Sequence, residues 1–370
     1  MKVFIEKSAL PFKLAQEIYS KFPNSQIIES YENFLWNINE KEDLITLGKK
    51  ALFVLHYKGS FIKACPGTKN YVCCGYQIFH IGEGCPLDCS YCILQMYLNR
   101  PGLKVWGNLL EDGLSELGGF LKESKNQKKV LRIGTGEFTD SLALEEITHI
   151  SEKLINFWKE VDPLAILELK TKVALKEAFF QKIPSDPRII FAWSVNTEKI
   201  IKEEEKGTAP FSLRLESAKR AVKYGFSVAF HFDPIIMYPE AYKEYPQVLE
   251  KILKNIPHEK IAWISFGTLR FPKTLKYIAQ KRFPKTKIYS EEFIEGLDQK
   301  KRYFIDKRKK LYFSFKEMVQ ETKDKIAYYY CMESERIWEE VLGERNFHSK
   351  SLAEKLDKVA LKLCYLSTSS

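Results

Sequence analysis

Residues 84–92 read GCPLDCSYC and place Cys85, Cys89 and Cys92 at the spacing C-x3-C-x2-C. Three thiolates on so tight a loop can each bind one iron of a cubane iron–sulfur cluster, which leaves the fourth iron without a protein ligand. A structural zinc site, with Cys73 or Cys74 as its fourth ligand, is an alternative interpretation. A chance grouping of cysteines is another. The segment predicts a metal centre on the three cysteines of the motif.

The sequence after this segment alternates between strand-like and helix-like stretches. Short runs rich in Val, Ile and Phe predict five strands, at 130–136, 165–172, 189–196, 227–234 and 261–269. Amphipathic segments lie between them, for example at 144–159 and 213–224. Strand–helix alternation over about 200 residues is typical of a parallel sheet, open or closed into a barrel. Each predicted strand ends in polar residues, which either line a ligand pocket at the carboxyl ends of the strands or simply lead into polar loops.

The chain divides by pattern into three parts. Residues 1–60 combine a helix-like stretch (Leu14 to Phe22) with a strand-like run (Ala51–His56) and predict an N-terminal α/β appendage. Residues 61–290 hold the cysteine motif and the strand–helix alternation. Residues 291–370 form a C-terminal region.

The composition is that of an ordinary globular protein. The 370 residues are 45% hydrophobic and 29% charged, and we find no run of roughly 18 apolar residues that would span a bilayer. The N-terminus lacks the pattern of a secretion signal, so we expect a cytoplasmic protein with no membrane partner. Six of the eight cysteines lie within residues 65–92, which favours metal or redox chemistry over a disulfide framework. The net charge of +10 favours a polyanionic partner but also suits a lysine-rich soluble surface.

The chain resembles the spore photoproduct lyase family of the radical S-adenosylmethionine (SAM) superfamily from about residue 62 to about residue 315. The resemblance rests on ordered segments with similar spacing: GCPLDCSYCILQ (84–95), FTDSL (138–142), AWSVN (192–196), EKGTAPFSLRLESAKRAVKYGF (205–226), HFDPI (231–235) and LRFPKTLKYIAQKRFPKTKI (269–288). It implies an α/β fold with a partial (β/α) barrel. It also implies a lyase that repairs a thymine-dimer-type lesion in DNA with a 5′-deoxyadenosyl radical.

The same resemblance implies the cofactors, partners and site residues. The cofactors would be a [4Fe–4S] cluster on the three motif cysteines and SAM bound to its open iron. The partners would be ultraviolet-damaged DNA and an external electron donor such as flavodoxin or ferredoxin. Contacts to SAM fall, position by position, on Gly136, Thr139, Lys170, Ser194, Asn196 and His231. Lys172 fits the lysine position nearly as well as Lys170.

A basic and aromatic segment, residues 300–313, predicts two short strands around a turn. Seven of its fourteen residues are basic and four are aromatic. Basic side chains hold phosphates and aromatic rings support unstacked bases, although a solvated lysine-rich hairpin has the same composition. In the resembled family a hairpin at this place enters DNA beside the lesion. The candidate DNA contacts are Arg270, Lys301, Arg302, Tyr303, Lys307 and Arg308.

The sequence departs from the family pattern where a hydrogen atom is returned to the substrate. The family's donor cysteine is replaced by Glu137, whose O–H bond is too strong to donate hydrogen readily to a carbon radical, and Ile93 stands where a tyrosine usually follows the third cysteine. Tyr91 is kept, and we assign it with Cys331 as the candidate catalytic residues.

The remaining cysteines, Cys65, Cys73, Cys74 and Cys331, allow three interpretations. One of them supplies the hydrogen atom, or they bind an auxiliary iron–sulfur cluster or zinc, or they are buried thiols that pack as small hydrophobic side chains. Two alternative functions follow. The first is a radical SAM enzyme acting on another nucleic-acid base or a small molecule, and the second is a zinc-bound nucleic-acid-binding protein.

Overall fold

The computed structural model describes residues 1–36, 43–97, 100–322 and 325–368. Its strands are β1 (Lys2–Glu6), β2 (Gln26–Ile28), β3 (Ala51–Leu55), β4 (Ile62–Ala64), β5 (Gln77–Phe79), β6 (Gly82–Glu83), β7 (Asp88–Cys89), β8 (Leu103–Trp106), β9 (Leu131–Gly134), β10 (Ala165–Thr171), β11 (Ile189–Ser194), β12 (Glu205–Lys206), β13 (Ser227–Ile235), β14 (Ile261–Thr268), β15 (Arg270–Phe271), β16 (Ile294–Glu295), β17 (Lys301–Arg302) and β18 (Ala327–Tyr330).

The helices alternate with the strands through the middle of the chain. They are α1 (Lys13–Lys21), α2 (Leu44–Gly48), α3 (Leu94–Tyr97), α4 (Leu114–Asn126), α5 (Glu145–Thr148), α6 (Ile150–Val161), α7 (Glu177–Phe180), α8 (Glu198–Glu204), α9 (Phe211–Lys223), α10 (Ala241–Asn255), α11 (Lys273–Arg282), α12 (Ile305–Gln320), α13 (Glu335–Ile337) and α14 (Ser349–Thr368). In the described part of the chain, none of these helices is both long and apolar enough to cross a membrane.

The main sheet has eight strands in the order β18-β14-β13-β11-β10-β9-β5-β4. All neighbouring pairs from β5 to β18 are parallel, and β4 pairs antiparallel with β5 at one edge. Strands β11 and β14 are buried along their whole length because the chain covers both of their faces. The five strands predicted from the sequence are confirmed as β9, β10, β11, β13 and β14, and the prediction of a partial barrel is confirmed with them.

A second sheet holds the N-terminal region against the barrel. Its strand order is β2-β1-β3-β8-β6, so segments 82–83 and 103–106 complete a sheet that begins in the first residues of the chain. Strand β18, at 327–330, extends the main sheet in the same way from the C-terminal region. The division at residues 60 and 290 stays a prediction, and the two sheets take strands from both sides of those boundaries.

The prediction of two strands over residues 300–313 is wrong. Only Lys301–Arg302 is a strand, and helix α12 begins at Ile305. The buried residues of α12 recur at the three- and four-residue spacing of a helical stripe, and a period of two does not fit them; they are Arg308, Leu311, Tyr312, Phe315 and Val319. A short hairpin does exist nearby, but β16 and β17 form it, with β15 as the third strand.

Candidate active site

The cysteine motif is held as a rigid loop by main-chain and charged contacts. Strand β7, which includes Cys89, pairs antiparallel with β12, and Glu205 is the register partner of Cys89. The Lys49 ammonium donates hydrogen bonds to the carbonyl oxygens of Cys85 (2.8 Å) and Leu87 (2.6 Å). These contacts hold the main chain of the motif loop in place.

The loop requires glycine at its first position. Gly84 has a φ of +85°, and a Cβ atom there would lie 2.5 Å from the Gly102 carbonyl oxygen. An L-residue would be strained in that conformation and would also displace the backbone of the neighbouring strand. Gly84 therefore sets the direction in which the first cysteine leaves the sheet.

The three motif cysteines face a cavity of about 290 Å³ at the carboxyl ends of the barrel strands. The structure brings eleven of the candidate residues to its wall: Cys85, Cys89, Cys92, Tyr91, Gly136, Thr139, Lys170, Ser194, His231, Arg270 and Cys331. Five of these residues lie in strands and the others in loops, so distant parts of the chain converge on one site, as expected at the carboxyl ends of parallel strands.

The separation of the thiols suits a group larger than one zinc ion. Tetrahedral zinc–thiolate sites hold their sulfur atoms about 3.8 Å apart, given Zn–S bonds of about 2.3 Å. Among the described residues, the only set of three or more potential ligand atoms lying within 4.8 Å of one another belongs to Glu145, His149 and Glu152. At least one pair of sulfurs among Cys85, Cys89 and Cys92 therefore lies more than 4.8 Å apart, which is wider than a single zinc ion holds its thiolates.

The same observation bears on the other cysteines. The thiols of Cys65, Cys73, Cys74 and Cys331 do not form a compact three-sulfur site within the described chain. All four are free and half-buried, and all four line the cavity. This arrangement does not support a zinc site made from these thiols. It leaves each of them in a position to act inside the cavity.

Behind the cavity wall lies a buried charge network centred on Glu205. Its carboxylate accepts hydrogen bonds from the Tyr91 hydroxyl, from Asn196 (2.9 Å) and from the Arg214 guanidinium (2.5 Å). Burial raises the pKa of Glu205, but the positive charges of Lys172 and Arg214 outweigh burial and lower the pKa to about 2. Glu205 is therefore ionised, and it holds Tyr91 in place beside the cluster loop.

Asn196 belongs to this network. Its side chain is buried one layer behind the cavity, where it accepts a hydrogen bond from Tyr245 (2.5 Å) and donates to Glu205. Its expected contact with SAM therefore stays a prediction, and the structure gives Asn196 a bracing position. Glu205 and Arg214 were missed from the sequence, although both lie inside the segment 205–226 that carries part of the resemblance.

Two lysines at the end of β10 point to the same cavity but have different partners. Lys170 forms an ion pair with Glu137. The Lys172 ammonium is buried and makes no hydrogen bond, and its nearest carboxylate oxygen, on Glu205, lies 3.6 Å away. A buried cation without a hydrogen-bond acceptor is costly unless a ligand supplies one. Lys172 is therefore the better candidate for an anionic ligand group.

Cys331 lies at the end of β18, in contact with a carboxylate–guanidinium pair. Arg270 binds Asp233 through two hydrogen bonds of 2.9 and 3.0 Å, and the same guanidinium donates a hydrogen bond of 3.7 Å to the sulfur atom of Cys331. Burial and the negative charge of Asp233 raise the pKa of Cys331, so its S–H bond is kept at neutral pH. The site therefore contains a protonated thiol beside the Asp233–Arg270 pair.

Glu137 occupies the cavity wall where the family pattern has a cysteine. Its carboxylate pairs with Lys170 and accepts a weaker hydrogen bond from Tyr76 (3.3 Å). Burial lowers the pKa of Lys170, but Glu137 and Glu168 raise it above the usual range by a larger amount. The pair is therefore a salt bridge, with no hydrogen atom that a carbon radical could readily take.

The candidate DNA contacts are only partly where the sequence placed them. Three of them are buried and engaged inside the protein, which corrects their assignment as surface contacts: Arg302 pairs with Asp298, Arg308 pairs with Glu333, and the Tyr303 hydroxyl accepts a hydrogen bond of 3.1 Å from the main-chain N–H of Met237. Lys301 and Lys307 are half-exposed and pair with glutamates. For Arg308 the cause is the same as for the misplaced hairpin, since helix α12 buries one side of a stretch that two strands would expose.

Comparison with known proteins gives one consistent family. The model of the family described as "Spore photoproduct lyase" matches residues 1–332. Spore photoproduct lyase of Bacillus subtilis (strain 168) is 26% identical over 317 residues, which cover 81% of this chain and 85% of that protein. The enzyme of Geobacillus sp. (strain Y412MC61) is 24% identical over 299 residues, covering 78% and 84%.

Solved structures show the same fold. A spore photoproduct lyase complexed with dinucleoside spore photoproduct matches with a TM-score of 0.75 at 22% identity and covers 89% of this chain and 98% of that chain. A mutant of spore photoproduct lyase with bound AdoMet and dinucleoside spore photoproduct matches with the same score, identity and coverage. The family model spans most of the chain, and so this protein belongs to the spore photoproduct lyase family and is a radical SAM enzyme of that family.

Proposed function

We propose that this enzyme reverses a thymine-dimer-type lesion in DNA, with SAM and a [4Fe–4S] cluster on Cys85, Cys89 and Cys92. The observation that carries the proposal is one cavity that gathers the three motif thiols, the Cys331 thiol and the buried ammonium of Lys172, which makes no hydrogen bond. The net charge of +10 suits a polyanionic substrate, and relatives have been solved with a dinucleoside spore photoproduct.

Cys85, Cys89 and Cys92 would hold the cluster, which together with SAM would supply the radical chemistry for abstracting a hydrogen atom from the lesion. The residues of the chain orient the reactants and exclude water. Lys172 pairs with the SAM carboxylate, and Gly136, Thr139, Ser194 and His231 surround the rest of the molecule. Gly136 packs directly on β10, because a Cβ atom there would lie 2.9 Å from the Lys170 side chain.

Cys331 returns the hydrogen atom at the end of the reaction. Its S–H bond breaks and a C–H bond forms on the thymine radical, which leaves a thiyl radical on the protein. The thiyl radical regains one electron and one proton from an external one-electron reductant and water. Tyr91 belongs to the cysteine motif and lines the cavity. Its hydroxyl donates a hydrogen bond to the Glu205 carboxylate, which holds the ring in place.

The test uses anaerobically reconstituted protein with dithionite, SAM and ultraviolet-irradiated spore-type DNA. Loss of spore photoproduct matched by new thymine is the expected result. A variant with all three motif cysteines replaced by alanine serves as the control, and we expect it to be colourless and inactive. Cleavage of SAM with no loss of photoproduct would overturn the substrate assignment while leaving the radical chemistry in place.

A second function is favoured by one observation, the salt bridge of Glu137 in place of the usual thiol. A radical SAM enzyme that acts on another base or on a small molecule would not need a donor at that position. Formation of 5′-deoxyadenosine separates the two functions, because stimulation by irradiated DNA but not by undamaged DNA or RNA is expected only for lesion reversal.

Replacement of Lys172 by methionine is expected to weaken SAM binding about tenfold, because one charge-assisted hydrogen bond in a buried site is lost. Equilibrium dialysis of labelled SAM against the reconstituted protein measures the effect. Lys176→Met is the matched control, since that side chain is 86% exposed. A larger loss for Lys170→Met than for Lys172→Met would return the assignment to Lys170.

A further inference from the structure

The C-terminal helix α14 lies beyond the segment that matches the family model, which ends at residue 332. Its buried residues recur mainly at three- and four-residue spacing and form one apolar stripe; they are Leu352, Leu356, Ala360, Leu363 and Cys364. Residues on the other side of the helix, such as Lys358, are exposed. The helix is therefore amphipathic and packs with one face on the protein.

That face lies on the concave side of the barrel. Helix α14 contacts β9, β10 and β18, although β11, β13 and β14 separate β18 from β10 in the sheet. One helix can reach both ends of this order only where the sheet curls around it. At its other end Cys364 lies near Asp186 and Arg188, which precede β11. The helix thus runs along the strands, from their carboxyl ends to their amino ends.

The first turns of α14 form part of the cavity. Leu352 and Leu356 line it together with the motif cysteines and Cys331, and both leucines are almost completely buried. The base of the cavity therefore comes from a segment outside the family match. An apolar floor at this place limits the depth of the cavity and keeps water from the reacting atoms.

Polar contacts tie the same helix to the loop that carries two of the cavity thiols. Asp357 accepts a hydrogen bond of 2.7 Å from Arg132, and Arg132 donates a second one of 2.6 Å to the carbonyl oxygen of Cys74. The main-chain nitrogen of Cys73 donates to the Ser349 hydroxyl (3.0 Å). Arg132 is almost wholly buried, so it depends on Asp357 for its charge partner.

We propose that α14 is the floor of the reaction cavity and that Asp357 is a positioning residue, which holds the Cys73–Cys74 loop in the cavity wall through Arg132. Without Asp357 the buried guanidinium lacks its anion, and the loop loses its attachment to the helix. The wall then opens on the side of Cys74. The consequence for substrate binding rests on the proposed lesion repair, whereas the consequence for the loop does not.

The experiment compares Asp357→Ala with Glu354→Ala in the reconstituted holoenzyme. Glu354 lies one turn earlier on the same helix, with its side chain 61% exposed. Alkylation of Cys74 by iodoacetamide, followed by peptide mass spectrometry, is expected to be about tenfold faster in Asp357→Ala and within twofold of the unmodified enzyme in Glu354→Ala. The KM for dinucleoside spore photoproduct is expected to rise about fivefold with a smaller change in kcat.

The two readouts separate two kinds of failure. Equal alkylation of Cys74 in both variants would overturn the positioning role, whatever the activity. Faster alkylation without any turnover of the photoproduct, in the variant and in the unmodified enzyme alike, would keep the positioning role and refute the proposed substrate. If Asp357→Ala does not fold, Asp357→Asn keeps the size of the side chain and is expected to show the same change in alkylation with a smaller magnitude.

Discussion

Replacement of Cys331 by serine is expected to leave SAM cleavage intact and to lower the yield of repaired thymine about 100-fold or more. Serine keeps the shape of the side chain, but its O–H bond is too strong to donate a hydrogen atom to a carbon radical. The magnitude is that of losing one positioned proton or hydrogen donor in an active site. The substitution leaves the ion pair of Asp233 and Arg270 beside this side chain intact.

The measurement follows 5′-deoxyadenosine, residual photoproduct and thymine by mass spectrometry in the same anaerobic reaction. In D2O the thiol exchanges its proton, so the unmodified enzyme is expected to place one deuterium in the repaired thymine. Cys364→Ser is the matched control, because that thiol lies at the far end of α14. Full activity of Cys331→Ser combined with loss of activity in Cys65→Ser or Cys74→Ser would assign the donor to one of those thiols.

A gain-of-function variant gives the same hypothesis a second test. Glu137→Cys places a thiol where the family pattern has one, and it also releases Lys170 from its ion pair. We expect Glu137→Cys to restore thymine formation in the Cys331→Ser background. Failure to do so, with SAM cleavage retained, would show that position 137 does not face the substrate radical in this enzyme.

The sequence predicts the barrel well because its strands are buried. Strands such as β11 and β14 consist of consecutive apolar residues, and short apolar runs between amphipathic helices have few other solutions. The segment 300–313 misled for the opposite reason. Its basic and aromatic residues are compatible with either a hairpin or a helix. The choice between the two depends on the burial of Leu311 and Phe315 against the barrel, which is a tertiary effect.

The candidate site was only partly predictable for a similar reason. Sequence motifs place Cys85, Cys89 and Cys92 on one loop, but pairing of charges is not visible in a sequence. Alternation along β10 puts Lys170 and Lys172 on the same face. Only the structure shows that Lys170 forms an ion pair with Glu137, whereas the Lys172 ammonium makes no hydrogen bond. The contribution of α14 to the cavity was also inaccessible, because nothing in its amphipathic pattern tells which face of which sheet it covers.

Replacement of Glu205 by glutamine is expected to lower the free energy of unfolding by about 3–5 kcal/mol, the usual cost of removing one partner from a buried ion pair. The side chains of Glu205 and Arg214 have no exposure to solvent, so the substitution leaves a buried guanidinium without its anion. Glutamine keeps the size of the side chain and one hydrogen-bond acceptor, and the change therefore reports on charge. Urea unfolding of the protein without cofactors, followed by tryptophan fluorescence, measures it.

Glu216→Gln is the control for this stability prediction. Glu216 lies on α9, like Arg214, and its ion pair with Lys219 is about half exposed, so a change below about 0.5 kcal/mol is expected. If Glu205→Gln also changed the unfolding free energy by less than about 1 kcal/mol, the network would not stabilise the fold. The expected loss has a consequence for the site, because the main chain of Glu205 pairs with Cys89. Weakening β12 loosens β7, and the variant should lose iron faster than Glu216→Gln under a chelator.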